Sequence, residues 1–149
     1  MPFLRDGQTH TLKLFAFQVA SGTWKQYQDV ECCGVVVEVY KATKYTMFAI
    51  DDATAVVQCI LWRPARNGST GGGVSAERTV WMEVQEEAYE SEREGLALGC
   101  QVKVRGQVHE YKGQRQIKVA SLCPLTEPNA ETEHRLDTER LFRLVYKNL

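Results

Sequence analysis

An all-β fold with added helices is predicted by three observations. Between Val30 and Trp62 lie three apolar, β-branched runs, separated by a basic loop, Lys41-Ala42-Thr43-Lys44, and by an acidic turn, Asp51-Asp52-Ala53-Thr54; this is the pattern of a three-stranded meander. Two further runs, Val102 to Tyr111 and Gln114 to Leu122, flank Lys112-Gly113, a short glycine-containing hairpin connection. A helix-like insertion separates the two groups, and a helical segment closes the chain. Three strands, a helix, two strands and a helix is the element order of an OB-fold, a five-stranded Greek-key barrel that often grips single-stranded nucleic acid.

With 149 residues and 44% hydrophobic content, one domain over 1–149 is expected, large enough to bury a core without disulfides or metal. The barrel with its lead-in covers about 12–124 and a C-terminal helix covers 131–147. Five cysteines, Cys32, Cys33, Cys59, Cys100 and Cys123, sit mostly inside apolar strand patterns without C-x-x-C spacing, so they read as buried thiols in a reducing compartment. The N-terminus MPFLRDGQTH lacks the layout of a signal peptide, and no run approaches the roughly 18 apolar residues of a membrane span. A soluble intracellular protein without a membrane partner is expected.

The net charge of −1 on its own argues against a nucleic-acid partner, but charge acts where it is placed. Ser75 to Gly95 carries seven glutamates against two arginines. Gln101 to Lys118 carries Lys103, Arg105, Lys112, Arg115 and Lys118 against Glu110 alone. That local excess is compatible with a phosphate track on a nearly neutral molecule, and predicts modest, salt-sensitive affinity.

Residues up to about Gly22 include Leu12, Leu14, Phe15, Phe17 and Val19, a mixed apolar run that reads as a lead-in packed along the barrel. The first strand, about Val30 to Tyr40, carries Gly34 near its start, where a glycine permits a sharp coil in a strand serving both halves of a small barrel. In the second strand Phe48 and Ile50 share the core parity, leaving Tyr45, Met47 and Ala49 on the other face; in the third, Val57, Cys59 and Leu61 oppose Val56, Gln58, Ile60 and Trp62. Both faces are partly apolar, so the outer face is either covered or a binding surface.

Arg63 to Val74 ends in a glycine-rich run and reads as a mobile loop. Ser75 can cap a helix whose apolar positions Val80, Trp81, Val84 and Ala88 predict a core-facing stripe, with Gly95 and Gly99 at its exit. The fourth strand alternates cleanly, with Val102, Val104, Gly106 and Val108 inward and Gln101, Lys103, Arg105, Gln107, His109 and Tyr111 outward. In the fifth, Ile117 and Val119 continue the core while Gln116 and Lys118 point outward, and Pro124 to Pro128 end the barrel. In the last helix Leu141, Phe142, Leu144, Val145 and Leu149 spread over a sector wider than one barrel contact needs, which marks a candidate partner surface.

Single-strand binding needs a basic groove to follow phosphates and aromatic faces for unpaired bases. In an OB barrel the ligand lies over the second and third strands, between the loops joining strands 1–2 and 4–5. Here the first loop holds Lys41 and Lys44, the second Lys112 and Arg115, with Lys118 and Lys103 as weaker candidates on the strands. Trp62, Tyr111 and Tyr45 are the aromatics nearest that cleft, and each is a stacking candidate against the alternative of an amphipathic cover for a barrel end. Enzymatic readings find little support. His10, His109 and His134 are scattered, Glu131 and His134 form a lone E-x-x-H that reads as a solvated helix start, and Asp51-Asp52 reads as a turn. No catalytic residue, cofactor or metal is expected.

The stretches IDDATAVVQCILW and LGCQVKVRGQVHEYKGQRQIKV, with the lead-in LKLFAF and the tail EPNAETEHRLDTERLFRLVYK, resemble the Stn subunit of the telomeric Ctc/Stn/Ten (CST) complex, itself similar to the middle subunit of replication protein A. The D-D-x-T turn and the V-R-G strand are shared by both relatives. The resemblance implies a non-catalytic nuclear subunit of a trimeric, replication-protein-A-like assembly that binds single-stranded telomeric DNA, protects chromosome ends and promotes C-strand fill-in by DNA polymerase α-primase. It implies that Trp62 and Tyr111 contact DNA. It further implies that the last helix, with Leu141, Leu144 and Val145, packs on a small Ten subunit beside a large Ctc-type subunit. The length resembles short, plant-type or algal-type members without a C-terminal winged helix. Two other readings stay open: a replication-protein-A-type middle subunit, and an OB scaffold with little DNA affinity of its own.

Overall fold

The computed structural model describes residues 11–21, 28–64 and 76–144, without the side chains of Ala76 and Arg78. The glycine-rich stretch after Pro64, the expected cap Ser75, and Val145, Tyr146 and Leu149 lie outside the described residues.

The barrel turns on one long strand, β2 (Asp29–Lys41), after a short β1 (Leu12–Lys13) and α1 (Ala16–Ala20). The first part of β2 pairs antiparallel with β5 (Gln101–Tyr111), from Asp29 opposite Gln107 to Val35 opposite Gln101. Its second part pairs antiparallel with β3 (Tyr45–Asp51), from Val35 opposite Asp51 to Lys41 opposite Thr46. β3 continues to β4 (Val56–Trp62), β4 pairs parallel with β6 (Gln114–Pro124), and β6 returns to β5. The order β1-β2-β3-β4-β6-β5 thus closes through β2–β5, giving the expected five-stranded OB barrel with a helix between its third and fourth strands and another at the C-terminus. A Cβ on Gly34 would stand 2.9 Å from the Asp51 carbonyl oxygen, so only glycine fits where β2 passes from one partner to the other. An extra residue, Val37, bulges β2 between Val36 and Glu38.

Inside, Val30, Val36, Phe48, Ile50, Val57, Cys59, Val102, Val104, Val108 and Ile117 are buried together. The lead-in completes this core. β1 runs parallel to β2, and Leu14, Ala16 and Val19 bury fully against the barrel. Five residues are too few for a helix to hold itself, and Asp52 supplies the anchor: its Oδ2 accepts the Ala16 N–H at 2.7 Å, while its Oδ1 accepts the Thr54 N–H at 2.9 Å and the Thr54 hydroxyl. Asp51 Oδ1 accepts the Ala53 N–H at 2.8 Å, and Ala53 takes φ 72°. The acidic turn is therefore a structural joint between α1 and the β3–β4 hairpin.

In the β5–β6 hairpin Lys112 and Gly113 have φ 49° and 77°, as a two-residue type I′ turn requires. Gly106 lies against β6 so closely that a Cβ would meet the Lys118 carbonyl oxygen at 2.1 Å. Just beyond, Ala120 is an extra residue on β6, between the pairs Gly106–Val119 and Arg105–Ser121. It brings Leu122 into the core after Ile117. Cys32, Cys33 and Cys59 are buried as expected, and burial pushes the Cys33 thiol up to about 12. Cys123 is exposed, a departure from the buried-thiol reading.

The two long helices depart from their patterns. In α2 (Ala76–Glu94) the expected core stripe is outside: Val80 and Val84 are exposed, Trp81 is 61% exposed, and Ala88 is exposed too. The reason is the anchor. Arg63, just after β4, donates from Nε to Glu86 at 2.8 Å and from Nη2 to Glu90, and its guanidinium lies 5.5 Å from the Tyr89 ring centre. Tyr89 is buried, with its hydroxyl 3.3 Å from Thr46 Oγ1. Val80 lies nine residues from Tyr89, about half a turn round the helix, so docking on Tyr89 turns the apolar stripe away. In α3 (Ala130–Leu144) the buried residues are His134 and Thr138, so His134 is not part of a solvated helix start. The barrel-facing side of α3 is polar: Lys13 Nζ stands 3.2 Å from Asp137, Gln101 reaches Glu131, and His134 Nε2 is 3.9 Å from Glu31.

Candidate nucleic-acid interface

The outer face of β2, β3 and β4 carries a groove of about 530 Å³ lined by Glu38, Tyr40, Met47, Phe48, Gln58, Tyr111, Lys112, Gln114 and Gln116. The Val37 bulge sets its first wall. A bulge adds one residue and so reverses side-chain alternation beyond it: Val36 is buried, and Glu38 and Tyr40 face outward. The β5–β6 turn sets the opposite wall, with Tyr111 54% exposed and the Lys112 ammonium 5.3 Å from its ring centre.

Beside the groove runs a series of three aromatic rings. Tyr45 opens β3 directly opposite Trp62 at the end of β4, with ring centres 5.3 Å apart and planes tilted by 56°. Tyr40 stands 6.4 Å from Tyr45 on the other side. Trp62 is 49% and Tyr40 61% exposed, so each keeps about half or more of its surface accessible to a ligand. Lys41 and Lys44, both exposed, stand in the loop between Tyr40 and Tyr45. Of the residues read from the sequence as DNA-binding, the structure thus gathers Trp62, Tyr45, Lys41 and Lys44 at one end of a single face and Tyr111 and Lys112 at the other. Arg115 is half-buried and already engaged, and Lys118 is exposed on β6 opposite Ile60. Lys103 is half-buried on β5 opposite Cys33, on the far side of the barrel.

Sequence reading missed Tyr40, Glu38, Met47, Gln58 and Gln114 as groove residues. It also placed Gln116 at an outward, solvent-facing position. Gln116 keeps that parity, but it lies between Gln58 and His109 in the sheet and is only 6% exposed. Ala49 likewise keeps its outward parity and is buried between Glu38 and Gln58. The alternation of Glu38 with Tyr40 was legible, but the offset introduced by Val37 was not.

At the C-terminus, Leu141 is half-buried, Phe142 is exposed and Leu144 is 70% exposed. Leu136 is exposed as well. The expected partner surface therefore has unburied apolar side chains in this chain, with Val145 outside the described residues.

A closed barrel whose outer groove is joined by a series of tilted aromatic rings and flanking lysines defines a class, and comparison with known proteins agrees with it. A family model described as an OB-fold nucleic acid binding domain matches residues 30–125, and the chain belongs to that family. Within it, the resemblance to the Stn subunit is borne out. The chain is 26% identical over 125 residues to the CST complex subunit STN1 of Ailuropoda melanoleuca, covering 80% of this chain and 34% of that one. It is 28% identical over 118 residues to the CST complex subunit STN1 of Arabidopsis thaliana, covering 79% and 72%. The chain thus spans about a third of the length of its first mammalian relatives. Among solved structures, the S. pombe Stn1-Ten1 complex matches with a TM-score of 0.61 at 12% identity, covering 80% of this chain and 74% of that one. A replication protein A heterotrimer bound to single-stranded DNA matches with 0.55 at 14% identity, covering 77% and 71%. At these identities the two structures extend the fold.

Proposed function

We propose that this chain is a non-catalytic, telomere-associated OB subunit that binds single-stranded DNA across the groove bounded by Trp62, Tyr45, Tyr40 and Tyr111. The observation that carries the reading is the aromatic series Tyr40–Tyr45–Trp62, exposed beside a groove and flanked by Lys41, Lys44 and Lys112. Bases stack on the rings and the lysines follow the phosphates, with each stack contributing ~1–3 kcal/mol. The similarity to CST complex subunits named STN1 supports a place in a trimeric nuclear assembly at chromosome ends. In that assembly α3 meets a small Ten-type OB partner through Leu141, Phe142 and Leu144, a large Ctc-type subunit completes the trimer, and the complex supports C-strand fill-in with DNA polymerase α-primase.

A second reading, an OB scaffold with little DNA affinity alone, is favoured by the net charge of −1. Fluorescence anisotropy with a G-rich single-stranded oligonucleotide at low and high salt separates the two. The DNA-binding reading expects salt-sensitive binding that weakens at least tenfold in a folded Trp62→Ala, Tyr111→Ala variant, since two stacks are lost. No binding at low salt refutes it and leaves the scaffold. Even weak binding becomes useful when the chain is linked to other DNA-binding subunits.

A further inference from the structure

We propose that the groove holds a guanine-reading position, at which Glu38 accepts both donors of one guanine's Watson–Crick edge while Gln58 and Gln116 address its other edge. The inference rests on the groove being the single-strand surface argued above. Strand pairing sets Glu38, Ala49, Gln58, Gln116 and His109 in one row across β2, β3, β4, β6 and β5. Glu38, Gln58 and Gln116 line the groove, and Gln114 lines its hairpin end. Among the described residues none of these four side chains holds a hydrogen bond or ion pair. Gln116 is only 6% exposed, yet its amide is not among the enclosed polar atoms that lack a partner: what it exposes opens into the groove, where a ligand edge can take the place of water.

The carboxylate decides which edge. Glu38 repels phosphate, so it is misplaced in a groove that only follows a backbone, and the groove's lysines stand at the ends of the row instead. An ionised carboxylate presents two acceptors and no donor, and it pairs bidentately only with two adjacent donors. Guanine offers them as N1–H and the N2 amine. Adenine and cytosine place a ring acceptor beside their amine, and thymine flanks its N3–H with two carbonyl oxygens. Guanine's N7 and O6 acceptors then face the glutamine amides. Glu38 and Gln58 are two strands apart, about 10 Å at the usual strand spacing, and line the groove together with Tyr40 and Tyr111, so a base entering the groove can meet the carboxylate at one edge and the amide at another, with either ring within reach for stacking.

The test measures anisotropy of the full chain with dT oligonucleotides of roughly 12 nucleotides, unmodified or carrying one central dG or one deoxyinosine, which lacks the N2 amine. The expected result is about tenfold tighter binding of the dG oligonucleotide than of either other. In Glu38→Gln, which removes one acceptor and turns a donor toward N1–H, the three bind within about twofold. Equal binding of all three by the unsubstituted chain overturns the inference while leaving the stacking groove intact, as binding to plain dT that is lost in Trp62→Ala then shows. A dG preference that survives in Glu38→Gln overturns the assignment to Glu38. No binding to any oligonucleotide overturns both this inference and the function it rests on.

Discussion

Replacing Asp52 by alanine should loosen the lead-in from the barrel. The Asp52 carboxylate is buried and accepts the Ala16 N–H at 2.7 Å through one oxygen and the Thr54 N–H at 2.9 Å and Thr54 hydroxyl through the other. Ala16 is itself buried, so its N–H has no water to turn to, and orphaning such a donor costs about 1–3 kcal/mol. The Thr54 groups are exposed and recover water, which limits their loss to about 1 kcal/mol. The expected destabilisation is therefore about 2–4 kcal/mol, or roughly 5–15 °C in Tm for a domain of this size. Urea unfolding followed by far-UV circular dichroism measures it, and amide exchange locates it in α1. Asp52→Asn, which keeps one acceptor oxygen, should fall between the two. A loss below about 1 kcal/mol, or unchanged exchange in α1, refutes the view that this carboxylate is the joint. If EDTA alone reproduced the loss in the unsubstituted chain, the acidic turn would be a metal site instead.

Gly106→Ala should destabilise by about 3 kcal/mol or more, because the new methyl meets backbone oxygen of Lys118 at 2.1 Å and no rotamer relieves it; Gly113→Ala in the exposed turn serves as the milder control in the same urea titration. His134 is kept neutral: burial lowers its pKa, outweighing Glu31, and Lys13 and Lys103 push the same way as burial. The unfolded chain thus binds this proton more readily than the folded one, so stability should fall as pH drops below about 6.5. That fall should shrink in His134→Gln, as thermal unfolding at pH 7.5 and 5.5 reports. Phe142→Glu with Leu144→Glu should leave the barrel's Tm within about 2 °C, because both side chains are exposed. The same pair should abolish co-elution with a Ten-type partner; retained co-elution would move the interface off α3.

How far these residues could be read from sequence depends on whether the deciding contact was local. Alternation in β5 and the Lys112-Gly113 turn were legible because period-2 burial and positive φ are properties of a few neighbouring residues. The same holds for Trp62 and Tyr45, each placed at a strand end beside a basic loop. The Val37 bulge was not legible. Val35, Val36 and Val37 are chemically alike, so nothing local says which is the extra residue, although that choice turns Glu38 and Tyr40 into the groove. α2 shows the same limit from the other side. Its stripe of Val80, Trp81 and Val84 has proper helical spacing, yet the face that docks is chosen by Arg63, which lies outside the helix in sequence and grips it at Glu86 and Glu90. α3 inverts the usual rule: it docks with His134 and Thr138 and leaves Phe142 and Leu144 in water. An apolar sector is normally the side a helix buries. When a helix buries its polar side against its own barrel, its apolar side stays in water, and the proposed partner contact rests on that exposure. That makes the failure of the pattern in α3 more informative about partners than its success in the strands.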